Sequence, residues 1–391
     1  MRIQPLTVGF MPLVDAAPLI IARELGFAEE EGLALTLQSG PSWSTLRDRL
    51  VLGQIEAAHM LAPVPVAMAL GLGGITTPLD ALSVLSVNGN VIGVSNQIAA
   101  RLRDAGFTPD FRNAAATREA LTSVSGALRL GVPFPFSMHA ELLHYWLAGG
   151  GNTDPKALDI RTIPPPLMAE AIAANEIDAF CVGEPWGSIT VENGGGELLL
   201  PSNAIWKFAP EKVLAARTDW TAANPELTGR LMRAAWKAAR WLSDTSKRST
   251  AADILAWPEY LGLPAEILER SLSGHMILSR HSPVRHVDRM VVFHDAAATF
   301  PWKSQAAWIG ARMAQRFGLD PTNAAHKATE VFRTDLYRQH LAPLGVDMPG
   351  ASGKVEGALA LPTPVASDNG TLILGPDAFF DGRAFDPTPF G

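Results

Sequence analysis

At 391 residues the chain is too long for one ordinary hydrophobic core and suits two. A hydrophobic share of 47% against 18% charged residues excludes a disordered chain, and a net charge of −7, from 32 basic and 39 acidic residues, excludes an electrostatic footprint for DNA or RNA. The single cysteine, Cys181, rules out an intrachain disulfide and fits a reducing compartment. Met1-Arg2-Ile3-Gln4-Pro5 runs directly into Leu6, Val8 and Phe10, whose period of two predicts a first strand. No basic, apolar and small-residue series of an export signal precedes it, so the sequence reads as cytoplasmic. Pro18 to Leu25 predicts a helix stopped by Gly26, and Leu33, Leu35 and Leu37 predict a second strand. Ser42 is placed to cap a helix carrying Leu46, Leu50 and Ile55. Ala57–Leu61 reads as a short buried strand, followed by a helix from Val64 to Leu70. The uncharged run from His59 to Leu79 is broken by Pro63, Pro65, Pro78 and Gly71, so no membrane span is expected. Leu82 to Val94 is β-like, interrupted at Asn88-Gly89-Asn90.

The middle of the chain repeats the alternation. Leu128–Val132 predicts a strand, and Ser137 is placed to cap a helix from Met138 to Ala148 that Gly149-Gly150-Gly151 would end. Pro164-Pro165-Pro166 opens a further helix through Ala174. Ala179–Val182 is a short buried strand, and Val213–Ala216 another. From Asn224 the chain is mainly helical, with Leu227, Leu231, Ala234, Ala235, Ala238 and Trp241 near one face. Trp302–Phe317 is a second long helix, and from about Pro343 the composition predicts an extended tail over the surface. Together these predict an α/β fold with mostly parallel sheets in two lobes and a cleft between them. Lobe 1 is expected from residues 1–95 and 215–391, and lobe 2 from residues 96–214.

In such folds ligands sit beyond the carboxyl ends of strands, against helix N-termini. Four junctions there carry donors. Trp43 follows Ser42 and offers an indole N–H; packed as core it would do no more than fill space. His139 follows Ser137 into the first turn of its helix, where the dipole favours an anion; a satisfied structural histidine would look the same. Gly183 allows close backbone approach, or simply a tight turn, and the neighbouring Glu184 has the wrong sign for an anion and reads as a link to a basic group or across the lobes. Lys212 precedes a strand and reads as a crossover between lobes or as a solvated surface lysine. Catalytic and cofactor signatures are not expected: there is no G-x-S-x-G, C-x-x-C, H-E-x-x-H or phosphate loop. His275, His281, His286 and His294 lack ligand spacing, and Asp377, Asp381 and Asp386 lack the calcium-loop pattern, so no metal is expected.

As a set these stretches resemble the nitrate- and bicarbonate-binding proteins of bacterial ABC importers. The resemblance is carried by Gly9-Phe10-Met11-Pro12-Leu13-Val14-Asp15, by Trp43 with Leu46-Arg47-Asp48, and by Ala57-Ala58-His59-Met60. It continues through Asn88-Gly89-Asn90, His139 with Tyr145-Trp146, Cys181-Val182-Gly183-Glu184-Pro185-Trp186, Pro210-Glu211-Lys212-Val213 and Phe380-Asp381-Gly382. It implies an anion held between lobes by Trp43, Asn90, His139, Gly183 and Lys212. With the missing signal, the chain is most similar to the NasS-type cytoplasmic nitrate/nitrite sensors, which implies as partner a NasT-type RNA-binding antiterminator released when the anion binds. Two other readings stay open: an importer's periplasmic component with its signal removed, and a biosynthetic enzyme on the same fold. Nitrate offers acceptor oxygens and no donor, so its site should be rich in donors, hold about one positive charge and turn no carboxylate inward. Bicarbonate carries a proton and needs an acceptor, so Lys212 is expected to favour nitrate or nitrite. Alanine at Lys212 or His139 is expected to weaken binding without unfolding the protein.

Overall fold

The computed structural model describes residues 3–149 and 158–388. Its strands follow in chain order as β1 (Gln4–Phe10), β2 (Leu33–Ser39), β3 (Ala57–Leu61), β4 (Leu79–Asn88), β5 (Asn90–Ser95), β6 (Arg129–Val132) and β7 (Asp159–Thr162). Then come β8 (Ala179–Gly183), β9 (Gly196–Pro201), β10 (Pro210–Arg217), β11 (His275–Ile277), β12 (Val284–His286) and β13 (Val291–Val292). Six of them form one sheet in the order β13-β4-β10-β3-β1-β2, and five form a second in the order β7-β6-β8-β5-β9. Strands β3 and β10, at the centre of the first sheet, are almost fully buried, because apolar groups lie against both faces. One apolar cluster runs through Trp43, Leu46 and Met60 into the second sheet, and a separate one packs the opposite face of the first sheet against Leu231, Ala234, Ala235 and Ala238 of helix Pro225–Ser243.

The two-sheet α/β architecture is the one expected, but the sheets are mixed, not mostly parallel. β1 pairs in parallel with β2 and β3, whereas β10 runs antiparallel to both β3 and β4. Likewise β6 is parallel to β7 and β8, while β5 is antiparallel to β8 and β9. The strands β5 and β10, each antiparallel to both of its neighbours, are the ones that follow the two passages between the sheets, and a strand that arrives by crossing from the other sheet need not share the direction set by βαβ units. The passages lie at Asn88–Asn90 and between Pro201 and Pro210, so β5 belongs to the second sheet and β10 to the first, a few residues ahead of the lobe limits drawn from the sequence.

Asn88 and Gly89 turn the chain from one sheet to the other with φ of 64° and 97°, left-handed values suited to asparagine and glycine. The Asn88 carboxamide donates to the carbonyls of Lys207 (3.0 Å) and Arg289 (3.1 Å) and accepts from the Ala209 amide (3.2 Å). It therefore ties the first passage to the second. The long helices occupy Pro225–Ser243 and Lys303–Phe317, close to the expected limits. Helix Met138–Ala148 ends at Gly149; Gly150 and Gly151, named as part of its stop, lie outside the described residues. The tail does wrap the body: Phe379 stacks on Trp206 at 4.8 Å, and the Tyr145 hydroxyl donates to Asp381 (2.8 Å).

Candidate functional site

The carboxyl ends of β1, β3 and β8 meet the start of β10 where the two sheets face each other. Two helices begin there. Ser42 caps helix Trp43–Val51 by accepting from the Thr45 amide (3.2 Å), which leaves Trp43 as its first residue. Ser137 caps helix Met138–Ala148 in the same way from the Ala140 amide (3.2 Å), which sets His139 in the first turn. Both side chains are buried, at 1% exposure each. The Trp43 indole N–H and both ring nitrogens of His139 complete no hydrogen bond with the described residues.

Lys212 is fully buried, at 0% exposure, and its ammonium lies 5.5 Å from the centre of the Trp43 ring. It donates to Asp15 Oδ2 (2.7 Å) and to Glu211 Oε1 (2.9 Å). Burial alone would lower its pKa, but the two carboxylates outweigh that and raise it, so the lysine is charged. Asn90 donates to Glu211 Oε2 at 2.6 Å and keeps its own buried carbonyl oxygen without a partner. Gly183 closes the group. A Cβ on it would sit 2.8 Å from Leu13 Cδ2, 3.4 Å from Asn90 Oδ1 and 3.8 Å from His139 Nε2, so any side chain there would collide with Leu13 and press toward the Asn90 and His139 atoms. Trp43, Asn90, His139, Gly183 and Lys212 thus form one contiguous cluster, drawn from five separate stretches of chain.

Three residues not singled out from the sequence complete it. Asp15 lies just past β1, His59 sits within β3, and Glu211 precedes Lys212. His59 Nδ1 faces the Met11 amide at 3.4 Å, which places the ring proton on Nε2, 3.0 Å from Asp15 Oδ1. Burial would raise the Asp15 carboxyl, but Lys212 and then His59 hold it far below the ordinary carboxylate range. Glu211 moves the other way: burial pushes it up, the Lys212 charge pulls it back and Asp15 adds to the rise. Burial, helped by the Lys212 charge, keeps His139 well below its usual value and therefore neutral. His59 and Glu211 could have been suspected. A histidine inside the apolar strand Ala57–Leu61 and an acid–base pair opening a buried strand are titratable groups where water is absent.

The expectation of a site without inward carboxylates is therefore wrong, because a buried ammonium needs a counter-charge before any anion arrives, and Asp15 and Glu211 supply it. The preference for nitrate over bicarbonate argued from the lack of acceptors loses that premise. Among the described residues Glu184 makes no direct ion pair, though the Arg270 charge acts on it. Its buried carboxylate accepts from Ser188 Oγ (2.6 Å) and Ser271 Oγ (2.8 Å), and since Ser271 lies on helix Ala265–Ser273 this is the cross-sheet link anticipated as the other possibility. The Trp186 indole N–H on the Pro12 carbonyl (2.8 Å) and the Val14 amide on the Glu184 carbonyl (3.0 Å) reinforce it. Among the described residues no group of three metal-ligating side chains gathers, and no helix is long and apolar enough to cross a membrane.

The NMT1-like family model matches residues 3–256. The nitrate/nitrite binding protein NrtA of Synechocystis is 32% identical over 97% of this chain and 82% of its own length. The bicarbonate-binding protein CmpA of Synechococcus is 27% identical over 99% of this chain and 85% of its own. The crystal structure of the periplasmic nitrate-binding protein NrtA from Synechocystis superposes with a TM-score of 0.83 at 30% identity, covering 99% of this chain and 97% of that one. With a fold and a length in common with these substrate-binding proteins, the chain belongs to the NMT1-like family as a relative of nitrate- and bicarbonate-binding proteins.

Proposed function

We propose that this protein binds nitrate or nitrite between its two sheets and does not transform it. The observation that carries this is the surroundings of Lys212: a buried, charged ammonium with the unpartnered Trp43 N–H and His139 Nε2 beside it. Hydrogen bonds to a charged group contribute about 1.5–3 kcal/mol each, and a micromolar affinity needs only about −8 kcal/mol, so this set suffices after the costs of desolvation and ordering. The proposed ligands are Trp43, Asn90, His139, Gly183 and Lys212. The lobes of this reading are the two sheets with their helices, and an anion touching both favours the closed arrangement.

A second reading, bicarbonate, is favoured by the buried Asn90 Oδ1, an acceptor without a partner that suits an anion carrying a proton. Titration calorimetry with nitrate, nitrite and bicarbonate decides between them. Saturable micromolar heat from nitrate or nitrite with bicarbonate silent supports the first reading; the reverse replaces it with the second, and silence from all three withdraws both. Recovery of the anion unchanged after denaturation tests the absence of turnover.

The regulatory role is part of the proposal and rests on the resemblance to NasS-type sensors. A cytoplasmic partner of NasT type that prefers the open arrangement must lose affinity when the anion binds, by the same factor as the anion loses affinity to it. Nitrate should dissociate a preformed complex of the two proteins. An importer role in the periplasm is the competing reading, and the periplasmic relative named above supports it. Fractionation of cells expressing the full gene separates the two locations.

A further inference from the structure

Glu211 occupies the donors that the anion reading needs. Its carboxylate takes one hydrogen bond from Lys212 and one from Asn90, and its Oε1 stands 3.3 Å from His139 Nδ1. This matters for the other side of the His139 ring. A neutral imidazole has one N–H and one lone pair, and its tautomer is set by what each nitrogen faces. While Glu211 is ionised, a lone pair on Nδ1 would oppose the carboxylate, so the proton belongs on Nδ1. Nε2 then presents a lone pair to the space beside Gly183, where it would repel an anion. A protonated Glu211 reverses this: its O–H donates to Nδ1, and Nε2 carries the proton.

We propose, resting on the anion-binding reading, that Glu211 is the positioning residue that decides whether His139 Nε2 can donate, and that the protein takes up one proton with each anion. The proton comes from solvent and lands on Nε2, while the Nδ1 proton passes to Glu211 Oε1. No other bond changes. The groups facing this pair agree with that assignment. Lys212 and Asp15 form a compensated buried pair, so an ionised Glu211 leaves the cluster with one excess negative charge and an added anion would make two. His59 is committed to Asp15, Asn90 is uncharged, and the buried Cys181 thiol is held in its neutral form by burial and by Glu211. Burial raises the Glu211 carboxyl and depresses His139, so the added proton rests on the carboxyl.

The test is calorimetric titration of the full chain with sodium nitrate in pairs of buffers that differ in ionisation enthalpy, from neutral to alkaline pH. Wild type should take up close to one proton per nitrate, and its affinity should fall about tenfold per pH unit on the alkaline side. Glu211→Gln should lose the uptake and flatten the pH profile. Nitrate binding without proton uptake in wild type overturns the role of Glu211 while leaving the anion reading intact. Uptake and slope retained in Glu211→Gln also overturn it. No nitrate binding in either protein at any pH overturns the anion reading itself. The wild-type proton count does not depend on the variant, so a misfolded Glu211→Gln leaves the measurement decisive.

Discussion

Lys212 has two roles that a single truncation would mix. It faces the proposed anion, and it neutralises Asp15 and Glu211 in a place with no water. Removing one partner from a buried ionic group leaves an uncompensated charge, at about 3–5 kcal/mol. Lys212→Ala should therefore lose stability of that order in urea denaturation as well as binding, contrary to the expectation that it leaves the fold intact. Trp43→Phe is the cleaner probe. It keeps an aromatic ring beside Lys212 and His59 and leaves every charge in place while deleting the indole N–H with part of a buried ring, so nitrate affinity should fall about 10- to 100-fold at a cavity cost of about 1–2 kcal/mol, below that of the lysine variant. An unchanged affinity would remove Trp43 from the ligand set. Trp43 and His139 were legible because a serine directly before the helix marks the end where donors collect. Asp15 was not, because its role is to balance a lysine whose burial only the tertiary structure reveals, 197 residues along the chain.

At the level of elements, helix Met138–Ala148 has no solvated face: every residue from Met138 to Leu147 is buried. A helix buried all round gives no amphipathic signal, so its length and cap were readable while its contacts were not. Its one carboxylate, Glu141, is fully buried and paired with Arg316 of helix Lys303–Phe317, joining the helix that presents His139 to the body of the first sheet. Burial raises the Glu141 carboxyl, with Arg316 and Arg312 opposing. Arg316→Ala should destabilise the protein by about 3–5 kcal/mol, and the double variant Glu141→Leu, Arg316→Met should recover most of that loss. Chemical denaturation of the two variants checks this, and a double variant no more stable than the single one would contradict it. Strand direction was the least legible property of the elements. Period and burial reveal that β5 and β10 are strands, but their antiparallel entry follows from where the chain crosses between sheets, which no local pattern encodes.

For the whole molecule, the two sheets meet through the Glu184–Ser271 and Trp186–Pro12 contacts as well as through the cluster around Lys212. A ligand bound only by the folded, joined arrangement must stabilise it by mass action. Nitrate at about one hundred times its dissociation constant should add about 2.7 kcal/mol to unfolding, an effect that bicarbonate at equal concentration should not match. Equal stabilisation by both would favour a less selective site. The connection between the sheets carries a further consequence. Asn88 clasps Lys207, Ala209 and Arg289 with a single carboxamide, so the outward and return passages of the chain are fastened to each other where they meet the first sheet. Two loose passages would let the halves move independently of each other; fastened ones restrict that freedom to a shared joint. A surface that straddles this joint on the side away from Lys212 reports the same angle as the pocket does, and a macromolecule seated there would read occupancy without ever touching the ion.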